Sequence, residues 1–101
     1  MSDIVSTPRT KVLPKAKRPP LHKVILLNDD YTPREFVVLV LKTVFRMNEA
    51  RAYGVMMTAH RKGCCVIAVY ARDVAETKAQ EATDLGRSKG YPLAFTTEPE
   101  E

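Results

Sequence analysis

Short apolar runs alternate along this chain with longer stretches of helical periodicity, and the alternation predicts six elements. Leu21 to Leu27 is an extended run whose second half is wholly apolar, as in a strand with neighbours on both sides. Thr32, Pro33 and Glu35 follow as N-cap, first helical residue and capping-box partner, and predict a helix from Pro33 to about Arg46. Asn48 caps a second helix that runs to about Lys62, where Gly63 suits the left-handed residue beyond a helix end. Cys65 to Tyr70, β-branched and apolar, is a second strand. Asp73, with Glu76 three residues on, opens a third helix that stops near Gly90. Leu93 to Thr97 is a short third strand, and Thr97 onward is a frayed acidic end. Two helices between the first and second strands bring the chain back antiparallel. One helix between the second and third makes those two run the same way. The expected fold is therefore α+β, a β-α-α-β-α-β chain. Its three-stranded antiparallel sheet has order 2-1-3, and three helices cover one face.

Two stretches hold more than packing requires. Phe36 to Leu41 is apolar around its whole circumference, whereas a surface helix needs one stripe. Sandwiching between the sheet and the second helix would account for it, as would an open pocket beside it. In the second helix Tyr53, Met56, Met57 and His60 fall at i, i+3, i+4 and i+7, which places them on one face. A histidine there is ordinarily a core or capping residue. Just before the first helix, however, Asn28, Asp29 and Asp30 stand side by side, where a turn needs one such acceptor. Three acceptors on a rigid turn, beside an apolar helix, suit a small cation carrying a hydrophobic group. His60 would be a further polar group beside the same apolar hole.

Composition narrows the setting. At 101 residues this is one domain, large enough for a real core. No apolar run approaches the roughly 18 residues of a membrane span, and no signal-peptide h-region is visible, so no membrane partner is expected. Cys64 and Cys65 are the only cysteines; adjacent residues on a strand point to opposite faces, so both are expected as reduced thiols in a cytoplasmic protein. The net charge of +4 comes from residues 1–20, where Arg9, Lys11, Lys15, Lys17 and Arg18 face Asp3 alone. Charges balance over residues 21–101, which leaves no basic footprint for nucleic acid. With Pro8, Pro14, Pro19 and Pro20 and few large apolar groups, residues 1–20 are expected to be a disordered basic extension to a folded domain over 21–101. No cofactor or metal is expected, and the chain is expected to act as a monomer.

Several separated motifs in order resemble one family. They are Val24 to Pro33 (Val-Ile-Leu-Leu-Asn-Asp-Asp-Tyr-Thr-Pro) with Glu35-Phe36-Val37, Met56 with His60, Val74 to Lys78 (Val-Ala-Glu-Thr-Lys), and Pro92-Leu93. Over about residues 21–97 the chain resembles ClpS, the bacterial adaptor that delivers N-degron substrates to a Clp AAA+ protease. The resemblance implies the same core and a flexible N-terminal extension. It implies that Asn28, Asp29 and His60 hold the α-amino group of a substrate's first residue, and that Asp30 and Thr32 shape the turn. Val37, Met56 and Leu93 would line the pocket for a first Phe, Tyr, Trp or Leu. Asp73 and Lys78 would lie on the surface that docks the N-terminal domain of a ClpA-type unfoldase; the family usually has Glu at the position of Asp73. Two pocket positions depart from the pattern. Arg34 replaces a Met that gates the pocket, and Ala59 replaces a Val at its wall. Such changes fit a divergent second ClpS copy within one bacterium.

Two other readings compete. His60, Asp29 and Cys64 could form a nucleophile set, which would make the chain an enzyme, although Cys64 is only the residue after a helix-ending glycine. The element order also resembles the C-terminal domain of the ribosomal stalk protein, which would make it a ribosome-associated module. The neutral core and the lack of aromatic stacking platforms argue against RNA.

Overall fold

The apolar run Leu21–Leu27 becomes the middle strand, β1, of a three-stranded antiparallel sheet. This is seen in a computed structural model of the chain, which describes residues 19–100. The extension expected over residues 1–20 lies outside them, apart from Pro19 and Pro20. After β1 come α1 (Arg34–Val44), α2 (Glu49–Lys62), β2 (Cys64–Ala71), α3 (Arg72–Ser88) and β3 (Ala94–Pro99). The sheet order is β2-β1-β3, the 2-1-3 arrangement inferred from the connections. Leu27 stands opposite both Cys64 and Ala94, so one end of β1 is flanked by the start of β2 and the start of β3.

Val24 and Leu26 of β1 enter the core with Val37, Val40 and Leu41 of α1, Met56 of α2, Ile67 of β2 and Phe95 of β3. Ile25, between the two, does not belong to that cluster, as strand alternation requires. A bulge in β2 interrupts the register between Val24 and Ile25 and leaves Ile67 unpaired. Its carbonyl accepts instead from Arg51 Nη2 of α2 at 3.0 Å, so the bulge carries no orphaned acceptor there. On α3 the buried positions are Ala75, Ala79, Ala82 and Gly86, a small-residue stripe that lets this helix lie close to the sheet.

Several local expectations change. Thr32 and Glu35 do not form a capping box. Pro33 occupies the cap position of α1, and its carbonyl accepts from Phe36 N at 3.0 Å and Val37 N at 3.2 Å. The Thr32 hydroxyl is held by Asp29 instead. Nor does Asp73 cap α3: the helix begins at Arg72 after Ala71, and Asp73 lies in its first turn, where a negative charge suits the helix dipole. Arg72 N donates to Pro20 O at 3.0 Å, which ties this helix start to the residue before β1. α1 ends at Val44 rather than near Arg46, and Lys78 Nζ of α3 donates to the Val44 carbonyl at 3.1 Å. β3 does not fray after Thr97. It pairs with β1 through Pro99, and a proline is tolerated because β3 is an edge strand.

Core packing and the open cavity each account for part of the apolar run in α1, since Val37 belongs to the core cluster and also lines the cavity. The helix contacts α2 and α3, and its Val37, Val40 and Leu41 share the core with Val24 and Leu26 of the sheet. Val37, Val38, Val40 and Leu41 are buried, but Leu39 is 49% exposed. Leu41→Ala is therefore expected to lower unfolding free energy by about 2–5 kcal/mol in urea denaturation. Leu39→Ala should change it by less than about 0.5 kcal/mol.

Candidate functional site

The chain leaves β1 through Asn28, and the local chemistry from there to α1 is dominated by one carboxylate. Asp29 Oδ1 accepts from Tyr31 N at 2.8 Å, from Thr32 N at 2.7 Å and from the Thr32 hydroxyl at 3.0 Å, and Oδ2 accepts from the same hydroxyl at 2.9 Å. This is an aspartate-closed turn. It satisfies the backbone donors of a tight bend and sets the angle at which α1 begins. Asp29 is thus a structural residue as well as a candidate ligand.

The same turn is tied to α2. Gly63 ends that helix in the left-handed region at φ 92, and its N–H donates to Ala59 O at 2.8 Å. The Gly63 carbonyl then accepts from Asn28 N at 3.0 Å. His60, three residues before Gly63, is thereby brought to the acidic turn. Arg34, the first residue of α1, reaches across so that its Nη2 lies 3.4 Å from His60 Nε2. A guanidinium only donates, so this contact uses Nε2 as the acceptor.

Between these elements is a cavity of about 310 Å³. All ten residues singled out in the sequence line it: Asn28, Asp29, Asp30, Thr32, Arg34, Val37, Met56, Ala59, His60 and Leu93. Its mouth is polar, with Asn28, Asp30, Arg34 and His60 exposed. Its wall is apolar and buried, made by Val37, Met56, Ala59 and Leu93. Leu26, Leu27, Tyr31 and Pro33 also line it and were not singled out. Leu26 and Leu27 read as strand interior, and no sequence pattern distinguishes a strand residue at a pocket wall from one in a core. The proposed stripe on α2 divides: Met56 and His60 face the cavity, while Tyr53 is exposed on a neighbouring groove between α1 and α2.

Asp73 and Lys78 lie apart from the cavity and share a shallow surface groove on α3 with Val74, Thr77 and Glu81. Lys78 also serves the fold, since it binds the Val44 carbonyl and sits 5.8 Å from the centre of the Tyr70 ring. The nucleophile set finds little support. Cys64 and Cys65 are both free thiols, and Cys64 does not line the cavity that Asp29 and His60 share. Among the described residues no helix is long and apolar enough to cross a membrane.

Comparison with known proteins agrees with this geometry. Residues 17–96 match the family model described as ATP-dependent Clp protease adaptor protein ClpS. The chain is 66% identical over 101 residues, all of both chains, to ATP-dependent Clp protease adapter protein ClpS 1 of Bradyrhizobium diazoefficiens. It is 67% identical over 94 residues, 93% of this chain and 91% of the relative, to ClpS 2 of Agrobacterium fabrum. A solved structure of Agrobacterium tumefaciens ClpS2 bound to L-phenylalaninamide superposes with a TM-score of 0.81 at 69% identity, covering 82% of this chain and all of that one. The numbered names of these relatives accord with a second-copy reading. The ribosomal alternative rested on element order and on the basic residues 1–20, and is set aside by the family match. The chain belongs to the ClpS family: it is an adaptor of the ATP-dependent Clp protease and not an enzyme.

Proposed function

We propose that this adaptor captures proteins by a free N-terminal α-amino group and a large hydrophobic first side chain, and hands them to a ClpA-type unfoldase. The observation that carries the reading is the cavity itself, where acceptors at the mouth adjoin a buried apolar wall. A peptide α-amino group has a pKa near 7.7–8.0 and is largely an ammonium with three donors at neutral pH. Asn28 and Asp29 offer acceptors beside His60, whose Nε2 would exchange Arg34 for the ammonium. Hydrogen bonds to a charged group are worth about 1.5–3 kcal/mol each, and burying a Phe or Leu side chain adds roughly 1.5–3 kcal/mol. After association costs, that supports binding tight enough to capture and weak enough to release. The ligand of the Agrobacterium relative has this chemistry, with a free α-amino group, a phenyl side chain and an amide where a peptide would continue.

The remaining parts of the reading concern delivery. The α3 groove around Asp73 and Lys78 docks the unfoldase, and the basic residues 1–20 act in hand-off. The adaptor works as a monomer in the bacterial cytoplasm, without cofactor, nucleic acid or membrane.

Fluorescence anisotropy with short peptides that differ in their first residue tests recognition. Phe, Tyr and Trp are expected to bind better than Leu, because Ala59 leaves a wide wall that a flat ring fills and a branched chain does not. N-acetylation should abolish binding of each, since a site built for hydrogen bonds rejects a ligand lacking them. Equal affinity for free and acetylated Phe peptides would refute the proposal.

The two polar anchors should separate in a second measurement. His60 is exposed, so His60→Ala should weaken peptide binding with little change in melting temperature. Asp29 closes its turn, so Asp29→Ala should lower both affinity and stability, the latter by about 1–3 kcal/mol. Unchanged stability in Asp29→Ala would show that the turn does not depend on the carboxylate.

Deleting residues 1–18 should leave peptide affinity unaltered, because the described residues alone supply both the polar mouth and the apolar wall of the cavity. Degradation of an N-degron substrate by the reconstituted protease should slow. Degradation at the full rate would remove the extension from the hand-off.

A further inference from the structure

The cavity wall has a feature whose cause lies behind it. Leu93 lines the cavity with one side of its side chain and is only 3% exposed. Its other side rests on Gly86 of α3. A Cβ placed at residue 86 would lie 2.9 Å from Leu93 Cβ, 3.5 Å from Cδ2 and 3.6 Å from Cγ. Gly86 does not itself line the cavity. Its φ is not in the left-handed region, so the helix has no conformational need of a glycine there. A glycine in a helix interior is destabilising relative to alanine, and here the close approach of Leu93 is what makes it necessary.

The segment that carries Leu93 is held at both ends. Tyr91 N donates to Gly86 O at 2.9 Å and Gly90 N donates to Arg87 O at 2.9 Å, with Gly90 at φ 82. That is a Schellman closure of α3. It presents the Tyr91 ring to Phe36 of α1, with centroids 4.9 Å apart. Beyond Leu93, Ala94 pairs with Leu27 of β1. With both flanks anchored and α3 behind it, Leu93 has open space on the cavity side.

We infer that Gly86 is a specificity-determining positioning residue: by giving Leu93 room against α3, it sets the depth of the pocket for the first side chain and so admits the largest aromatic residues. The inference rests on the proposed N-degron reading of the cavity and adds a residue that touches no ligand.

The test uses the full chain and short peptides beginning with Trp, Phe or Leu. Gly86→Ala should push Leu93 toward the cavity and weaken Trp binding roughly tenfold relative to Leu binding, the size of effect that about one methylene has in an apolar pocket. In a Leu93→Gly background the same Gly86→Ala change should leave the Trp-to-Leu ratio where Leu93→Gly alone puts it, because the Cβ that lies closest to residue 86 is then gone. An equal loss for all three peptides, or a ratio change that persists without the Leu93 side chain, would overturn the inference. A second measurement needs no variant: on titration of the wild-type chain with L-phenylalaninamide, the Leu93 methyl and Gly86 amide NMR signals should shift together. Shifts at Asn28 and His60 with none at Gly86 would reject the role of Gly86 and keep the pocket. No shift at any of these positions would reject the pocket reading itself.

Discussion

The hydrogen bond from Asn28 N–H to the Gly63 carbonyl joins the parts that matter in this adaptor. It links the end of the central strand to the residue that ends α2 and begins the turn into β2. It depends on Gly63 adopting a left-handed conformation, in which an L side chain would be strained. Together with the pairing of Leu27 and Cys64, that link gives the acidic turn after β1 and His60 near the end of α2 a common frame. With it, polar groups separated by about thirty residues of chain share one cavity mouth.

The turn shows why preorganisation and function are hard to separate here. Asp29 supplies the acceptor for two backbone donors and a hydroxyl, and so builds the loop on which Asn28 and Asp30 stand. A carboxylate already held by neighbouring donors needs little rearrangement to meet an incoming cation, which lowers the entropic cost of binding. The apolar wall is rigid for a different reason. Met56 and Ala59 belong to the core of α2, Val37 to that of α1, and Leu93 is clamped between α3 and the cavity. The pocket is therefore an unfilled part of the hydrophobic core, opened to solvent at its polar end. The groove proposed to dock the unfoldase lies apart on α3, where Lys78 also binds α1, so the same helix supports the fold, that proposed face and the back of the pocket.

The sequence by itself determined which segments form strands and helices and how the strands are ordered. Those follow from local periodicity, from Gly63 and Asn48 at helix ends, and from the direction in which connecting helices return the chain. The chemistry of the mouth was also legible, because three adjacent acceptors exceed what a turn requires. The tertiary structure decided what each polar side chain does. Thr32 and Glu35 satisfy the pattern of a capping box, yet the Asp29 carboxylate competes for the Thr32 hydroxyl and wins. Lys78 reaches a carbonyl of α1 thirty-four positions away, Arg51 reaches the bulged carbonyl of Ile67, and β3 pairs through Pro99 because β1 offers partners that far. Gly86 reads as an ordinary weak point in a helix until Leu93 is seen against it. Local pattern governs backbone conformation, whereas the partner of a polar group or the neighbour of a glycine is set by distant segments brought together in folding, and no local spacing encodes that.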